Sequence, residues 1–264
     1  MNTSETLSTT RSTNAELSRV EDACRVIKNI KPIANNDERK LLLGSLAAAH
    51  KSLVVSFVNA HAFNLAWNSP SFAKTLYLSD VLLKDGVGIS LFTKALGINS
   101  GINMNGTDFI PEITAAFAGR RVAVFGTKEP YLSLAVSKIK ALGAEVVLTL
   151  DGFQPSTLYV SSLKECAADL VILGMGMPKQ EEVSMLIAEH ATTPVVIING
   201  GAILDFWANR FPRAPRIWQK MRLEWLFRML LEPRRLWKRY ILGGFAFAIH
   251  LLQLRLSRQL SQNT

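Results

Sequence analysis

The hydrophobic residues of this chain form short uninterrupted runs separated by amphipathic stretches. The runs are rich in β-branched residues, and the stretches between them have the apolar spacing of helices. The runs are Leu53–Val58, Arg121–Phe125, Glu145–Thr149, Asp169–Leu173 and Pro194–Ile198, and the helical stretches are Tyr131–Leu142, Thr157–Ala167 and Glu181–His190. Apolar strands that alternate with helices are typical of a parallel sheet covered on both faces. The pattern therefore predicts an α/β fold, a Rossmann-like parallel sheet flanked by helices.

Two further helices are predicted ahead of the first run, over Glu16–Ile30 and Asp37–His50, where charged and apolar residues alternate with helical spacing. Residues 1–14 are rich in Ser and Thr and lack the apolar segment of a signal peptide. We expect them to form a disordered, solvated tail.

Pro212 and Pro215 mark a turn after the last strand. We place a boundary there, between an α/β core of residues 15–209 and a helical appendage of residues 210–264 that docks on the core. Over Pro215–Leu231, Trp and Met residues fall on one helical face, a pattern more typical of core packing than of membrane contact.

Tyr240–Leu254 contains no Lys, Arg, Asp or Glu. It is shorter than the roughly 20 apolar residues that a membrane-spanning helix needs. We expect this segment to lie on a membrane or to pack on protein, and not to cross a bilayer.

The composition fits a globular protein, with 48% hydrophobic and 19% charged residues. A chain of 264 residues can bury a large core, which excludes a disordered adaptor. Cys24 and Cys166 have no metal-ligand spacing with the four histidines, so neither a disulfide framework nor a zinc site is expected. The sequence favours the reduced cytosol.

The positive charge is concentrated in the appendage. Residues 210–264 hold twelve Lys and Arg against two acidic residues, a net charge of +10, whereas the whole chain carries +9. Because aromatic and aliphatic residues are interleaved with the cations, the pattern favours a partner that presents phosphate beside hydrocarbon, such as an anionic membrane surface or a lipid-linked phosphate. Nucleic acid is the alternative, but the near-neutral core argues against it.

Ligands of open parallel sheets bind at the carboxyl ends of the strands. Asp85 comes shortly after the short apolar segment Val81–Leu83 and precedes two glycines, Gly86 and Gly88. This arrangement suits a general base or a hydroxyl-binding group at a loop tip. A plain Asp-Gly turn is the alternative, and spacing alone favours it.

The segment that begins at Gly174 contains a second glycine, Gly176, and then Lys179 and Gln180. The glycines permit close approach by a phosphate or sugar, and the two polar residues add donors at a predicted helix N-terminus. The segment lacks the dinucleotide-binding glycine fingerprint. After the last strand, Gly200 fits either a ligand loop or a strand-to-helix turn.

A polar cluster that includes Asn105 and Asp108 precedes another apolar segment, and either Thr107 or Asp108 is predicted as its helix N-cap. In the appendage, Arg228, Arg234, Arg235 and Arg239 form a dense arginine group. A solvated face and diphosphate recognition both remain open, since Arg offers forked donors to phosphate oxygens.

Several short motifs follow one another along the chain. They are N-A-H at Asn59, K-D-G-V-G at Lys84, N-G-T-D at Asn105, G-M-G-M-P-K-Q-E at Gly174, N-G-G-A at Asn199, R-A-P at Arg213 and L-E-W-L-F-R-M-L-L-E-P-R-R-L-W-K-R-Y from Leu223. In this order, between about Val54 and Tyr240, they resemble the WecG/TagA/CpsF glycosyltransferases, glycosyltransferase family 26. S-F-V-N-A-H-A and N-M-N-G-T-D-F resemble the branch of the xanthan-type glucosyltransferase.

The resemblance implies an inverting transfer of a hexose-type sugar from a UDP-sugar to a polyprenyl-diphosphate-linked saccharide. The reaction would take place at the cytoplasmic face of the plasma membrane, during surface polysaccharide or exopolysaccharide biosynthesis. The enzyme would be peripheral, with the appendage meeting the membrane.

Matching residues to the family motifs assigns roles. Asp85 would be the catalytic base, and Asn59 and Gln180 would line the sugar-nucleotide pocket. The remaining expected substrate-binding residues are Gly86, Asn105, Asp108, Gly174, Gly176, Lys179 and Gly200, with Arg228, Arg235 and Arg239 gripping diphosphate. The chain departs from the family at Phe57, where many members have Thr, and at Val183, where an aromatic residue is common.

No Asp-x-Asp pair is present to hold a divalent ion, so we expect metal-independent transfer without a cofactor. Two alternatives remain at this point. One is a nucleotide-dependent oxidoreductase or methyltransferase on the same kind of sheet, although neither V-A-V-F-G-T nor V-I-L-G-M-G completes the glycine fingerprint. The other is a non-enzymatic membrane-binding module.

Overall fold

The computed structural model describes residues 17–262, and the predicted tail of residues 1–14 lies outside this range. Six strands form one parallel sheet in the order β2-β1-β6-β5-β3-β4. The strands are β1 (Leu53–Val58), β2 (Val81–Lys84), β3 (Arg121–Gly126), β4 (Glu145–Leu150), β5 (Leu170–Gly174) and β6 (Val196–Asn199). The predicted parallel α/β fold is confirmed.

Helices connect the strands and cover both faces of the sheet. They are α1 (17–28), α2 (Asn36–Ala47), α3 (Ala60–Asn68), α4 (Pro70–Tyr77), α5 (Val87–Ala95), α6 (Gly106–Ala116), α7 (Tyr131–Ala141), α8 (Ser156–Glu165), α9 (Lys179–His190) and α10 (Ile203–Trp207). On one face, α2, α6, α7 and α10 bury a continuous core against the sheet. On the other face, α8 and α9 form one cluster and α1, α3, α4 and α5 form a second.

The sequence pattern found five strands within two residues of their observed bounds and missed β2. The missed strand has only four residues, too few to show a period, although all four are buried. A second correction concerns α6, whose N-cap is Asn105 and neither Thr107 nor Asp108. The Asn105 side chain accepts a hydrogen bond from the Thr107 backbone N–H at 2.9 Å.

The appendage contains α11 (Arg216–Lys220), α12 (Glu224–Leu231), α13 (Pro233–Trp237), a π-helical turn (Lys238–Leu242) and α14 (Gly243–Gln262). The single helix predicted over Pro215–Leu231 was wrong. Arg222 adopts φ of 60° between α11 and α12, and a left-handed residue interrupts a right-handed helix. The predicted Trp/Met stripe is therefore divided between two helices.

The helix from Pro233 to Ser257 is 25 residues long, and its length and composition would allow it to cross a membrane. The apolar segment Tyr240–Leu254 is part of this longer helix, because α13, the π-helical turn and α14 run on without a break. One side of α14 packs on α3: the Asn64 side-chain amide donates to the Gly243 carbonyl at 2.7 Å, and the His250 ring stacks on Trp67 at 4.5 Å.

Candidate active site

A cavity of about 1040 Å³ lies at the carboxyl ends of β1 and β2, between the core and the appendage. The core contributes Asn59, His61, Lys84, Asp85, Asn103 and Asn105 to its lining. The appendage contributes Arg222, Glu224, Trp225, Arg228, Arg239 and Tyr240. Two regions far apart in the sequence thus enclose one space.

The register of β1 and β2 determines where Asp85 lies. Val58 pairs with Lys84 at the last rung, and the Asp85 backbone N–H donates to the Val58 carbonyl at 2.9 Å. Gly86 then turns with φ of 91°, a conformation that favours glycine, and its N–H donates to Asn103 Oδ1 at 2.7 Å. Asp85 therefore forms an Asp-Gly turn and also lines the cavity. The turn and the proposed role as a general base do not exclude each other.

The Asn59 side chain lies beside the Asp85 carboxylate at the ends of β1 and β2. Burial raises the pKa of Asp85 to about 6, and the Glu224 carboxylate acts in the same direction. Arg228, the Asn59 side chain and Arg239 oppose the rise but do not cancel it. Asp85 is thus largely ionised at neutral pH and close enough to its pKa to accept a proton from a substrate.

Asn59 performs two tasks at the end of β1. Its Oδ1 accepts a hydrogen bond from the Ala62 N–H at 3.0 Å and caps α3, which leaves the amide NH₂ for Asp85. His61 lies two residues further on and also lines the cavity. Burial and the nearby Arg239 lower the pKa of His61 to about 4, so its imidazole is neutral at physiological pH.

Two of the three predicted diphosphate-binding arginines line the cavity. The Arg228 guanidinium lies over the Phe206 ring at 4.2 Å, and Arg239 belongs to the π-helical turn, a distortion that is frequent at functional sites. Arg235 is placed outside the cavity lining, where it pairs with Glu232 and lies over the Phe211 ring. Its proposed contact with diphosphate stays a prediction.

Polar contacts join the predicted cluster in the core to the appendage. Asn105 lines the cavity, and its amide donates to Glu224 Oε2 at 3.1 Å. Asp108 lies outside the lining but forms an ion pair with Arg213, which is part of it. These contacts fix the appendage over the cavity.

The predicted site residues that follow β5 and β6 are not part of the cavity lining. Because β5 is three strands away from β2 in the sheet, its end is roughly 14 Å from the Asp85 loop at the usual strand spacing. Gly174 is buried against Leu204, and a Cβ there would come within 2.6 Å of that side chain. A Cβ on Gly200 would lie 2.5 Å from Ile203, so tight packing accounts for both glycines.

Lys179 and Gln180 begin α9, as predicted, but they make internal contacts. The Lys179 ammonium donates to the Gly152 and Gln154 carbonyls at 2.9 and 2.8 Å. The Gln180 carboxamide oxygen accepts from the Gly201 N–H at 2.9 Å and from the N–H of Gly176, which has φ of 82°. Binding of a sugar nucleotide by these residues stays a prediction.

The sequence model of the glycosyl transferase WecG/TagA/CpsF family matches residues 31–261. This chain belongs to that family. A protein of Bacillus subtilis (strain 168), an N-acetylglucosaminyldiphosphoundecaprenol N-acetyl-beta-D-mannosaminyltransferase, is 26% identical over 193 residues, which cover 71% of this chain and 75% of the relative. A protein of the same description from Bacillus spizizenii (strain ATCC 23059 / NRRL B-14472 / W23) is 24% identical over 181 residues, covering 67% and 70%.

Family membership makes this protein a glycosyltransferase, which removes the alternatives of an oxidoreductase, a methyltransferase and a non-enzymatic membrane-binding module. Among residues 17–262, no group of three or more His, Cys, Asp or Glu side chains is arranged to hold a metal ion. Metal independence of the transfer stays a prediction.

Several cavity residues were not predicted as site residues, among them His61, Lys84, Asn103 and Glu224. Each had a signal in the sequence. His61 and Lys84 belong to the motifs that contain Asn59 and Asp85, Asn103 belongs to the polar cluster before α6, and Glu224 is one of only two acidic residues in the cationic appendage.

Proposed function

We propose that this protein is an inverting glycosyltransferase that moves a hexose-type sugar from a UDP-sugar to a polyprenyl-diphosphate-linked saccharide. One observation carries the proposal: Asp85, with a pKa near 6, shares a cavity with Arg228 and Arg239, which belong to a separate part of the chain. A poised carboxylate beside guanidinium groups suits proton abstraction from a hydroxyl next to a diphosphate.

The reaction is a single displacement at the anomeric carbon. The acceptor hydroxyl oxygen forms a bond to that carbon while the bond to the UDP oxygen breaks, which inverts the configuration. Asp85 takes the hydroxyl proton, and UDP leaves with the electron pair of the broken bond. General-base assistance contributes about 10²–10⁴-fold, and placed cationic donors contribute a similar order.

The names of the Bacillus relatives support the choice of acceptor, because both describe transfer to a sugar on undecaprenyl diphosphate. They also widen the range of donors to N-acetylmannosamine beside glucose. The xanthan-type subtype rests only on the motifs around Asn59 and Asn105.

The two sides of α14 support a position on a membrane surface, which we place at the inner face of the plasma membrane. Phe247, His250 and Leu254 face the core, while Phe245, Ile249 and other large apolar residues of the opposite side are exposed. With the preceding π-helical turn, the exposed set is Ile241, Leu242, Phe245, Ile249, Leu252 and Leu256, spaced at helical intervals along one face. A helix with one side on protein and the other apolar suits a bilayer surface better than a span.

Gly243 and Gly244 support a route for the lipid-linked acceptor. Both line the cavity at the start of α14, and a Cβ at Gly244 would meet nothing within 4 Å. By helical geometry, Gly244 lies between the core-packed side and the exposed apolar side. We place the isoprenoid chain at this gap, with its diphosphate turned toward Arg239.

An assay tests the proposal directly. Purified protein is offered a panel of UDP-sugars together with a short lipid-diphosphate glycoside, and the products are identified by mass spectrometry. Transfer from one UDP-sugar with inversion, lost in Asp85→Asn, is the expected result. Absence of transfer to any lipid-diphosphate glycoside across the panel would contradict the proposal.

A further inference from the structure

Lys84 is a buried cation in the wall of the cavity. It ends β2 directly before Asp85 and retains only 4% exposure. Its ammonium donates to the Gly101 carbonyl at 2.5 Å and to Ser100 Oγ at 3.1 Å. Ser100 in turn shares a hydrogen bond with Thr93 Oγ1 at 2.7 Å, so this part of the wall is neutral and polar.

No acidic residue among those that the structure describes forms an ion pair with Lys84. The charged neighbour that acts on it is Arg222, a second cation of the cavity lining, and burial together with Arg222 lowers the pKa of Lys84. The described residues accept two of the three ammonium protons. A buried charge without a counter-charge is costly, and a bound anion would relieve that cost.

The two cationic groups of the cavity act on different residues. Arg228 and Arg239 influence Asp85, whereas Arg222 influences Lys84. Lys84 ends β2 with its ammonium on Ser100 and Gly101, and Asp85 begins the turn that follows. The cavity lining therefore contains a second pair of cationic side chains, Lys84 and Arg222, besides the two arginines that act on the proposed base.

We propose that Lys84 and Arg222 form a second anion subsite, which binds a diphosphate group separately from Arg228 and Arg239. This inference rests on the proposed function, in which two diphosphates meet, one in the UDP-sugar and one in the lipid acceptor. The cavity volume of about 1040 Å³ is large for a single sugar, and two pairs of cationic side chains in its lining match a reaction with two phosphorylated substrates.

The test uses the full chain and calorimetric titration with inorganic pyrophosphate and with UDP. Lys84→Met keeps the length of the side chain and removes its charge, and Lys138→Met, at an exposed position of α7, is the control for net charge. In the Arg228→Met background, residual pyrophosphate binding should weaken at least about 10-fold on adding Lys84→Met, the scale of one charged hydrogen bond. Adding Lys138→Met should leave it unchanged.

Steady-state kinetics identify the source of the diphosphate. A rise in KM for the UDP-sugar in Lys84→Met assigns the subsite to the donor, and a rise in KM for the lipid acceptor assigns it to the acceptor. The inference would be overturned if Arg228→Met bound pyrophosphate with the same affinity with and without Lys84→Met, and if Lys84→Met changed neither KM.

Thermal unfolding separates binding from a structural role. A subsite residue predicts unchanged or higher Tm in Lys84→Met, since an uncompensated buried charge is removed. A purely structural lysine predicts a lower Tm with unchanged anion affinity, and that result would also overturn the inference. If pyrophosphate binding depends on Lys84 but no sugar is transferred, the proposed function fails and the subsite stands.

Discussion

Asn59 and Asp85 lie beside each other at the ends of β1 and β2, and the Asn59 side chain lowers the pKa of the Asp85 carboxyl by favouring its ionised form. The same Asn59 caps α3 through its oxygen, so its orientation is fixed by the secondary structure. Asn59 thus serves both as the N-cap of α3 and as a neighbour that lowers the pKa of the proposed base.

Asp85→Asn should reduce transfer by at least about 10²–10⁴-fold, because it removes the proton acceptor and leaves the shape of the cavity. UDP affinity should change little. The measurement is product formation beside calorimetric titration with UDP. Full activity in this variant would eliminate Asp85 as the base.

The same variant should be more stable than the wild type above pH 6 and equal to it near pH 4 and below. The pKa of Asp85 is raised from 3.8 to about 6, so the ionised form is disfavoured in the folded protein and the wild type loses stability as pH rises through this range. The gain in unfolding free energy is at most about 3 kcal/mol. Denaturant unfolding at pH 4 and pH 8 measures it, and an equal difference at both pH values would contradict the assignment.

The pH dependence of kcat/KM should show an acidic limb near pH 6, with activity falling as Asp85 becomes protonated. His61 cannot account for this limb, because its pKa is lowered to about 4. In His61→Gln the limb should therefore stay in place even if the rate changes. Loss of the limb in that variant would transfer the titration to His61.

Asn59→Ala should move the acidic limb to higher pH, because the side chain that favours ionised Asp85 is lost. It should also cost about 1 kcal/mol of stability through the lost N-cap. Asn35→Ala is the matched control, since Asn35 caps α2 by accepting from the Asp37 and Glu38 N–H groups and does not line the cavity. If Asn59→Ala and Asn35→Ala shifted the acidic limb of kcat/KM equally, the shift would reflect lost stability and not the effect of Asn59 on the pKa of Asp85.

Gly244→Leu should lower kcat/KM at least about 10-fold for a long-chain polyprenyl acceptor, on the scale of 1.4 kcal/mol, and spare a short-chain acceptor. Donor KM should not change. Gly44→Leu is the control, because a Cβ at Gly44 in α2 also meets nothing within 4 Å. Glycine is a poor helix former, so neither change should weaken its helix. Equal loss with both acceptors would argue against a lipid route at Gly244.

The double variant Phe245→Asp, Ile249→Asp should reduce flotation with anionic liposomes by roughly 100-fold or more, because each apolar side chain contributes about 1.5–3 kcal/mol when buried. The control is Leu41→Asp, Leu134→Asp, two exposed leucines of α2 and α7. Flotation that survives in the α14 variant would place the membrane contact elsewhere.

The sequence alone indicated the parallel sheet, the concentrated charge of the appendage and the Asp85 loop, because each depends on neighbouring residues. Strand and helix periodicity, glycine turns and charge density are local properties of a chain. The family motifs then gave the class of reaction. The short strand β2 was the exception, because four residues are too few to show a period.

Only the tertiary structure decided which polar loops share a cavity. The strand order places β2 beside β1 and leaves β5 three strands away, so Asn59 joins Asp85 while Lys179 and Gln180 make internal contacts. The docking of the appendage on the core placed Arg228 and Arg239 in the cavity lining and left Arg235 outside it, and packing buried Lys84. Strand order and helix docking depend on packing between residues far apart in the chain, and local sequence patterns do not show which of those residues come into contact.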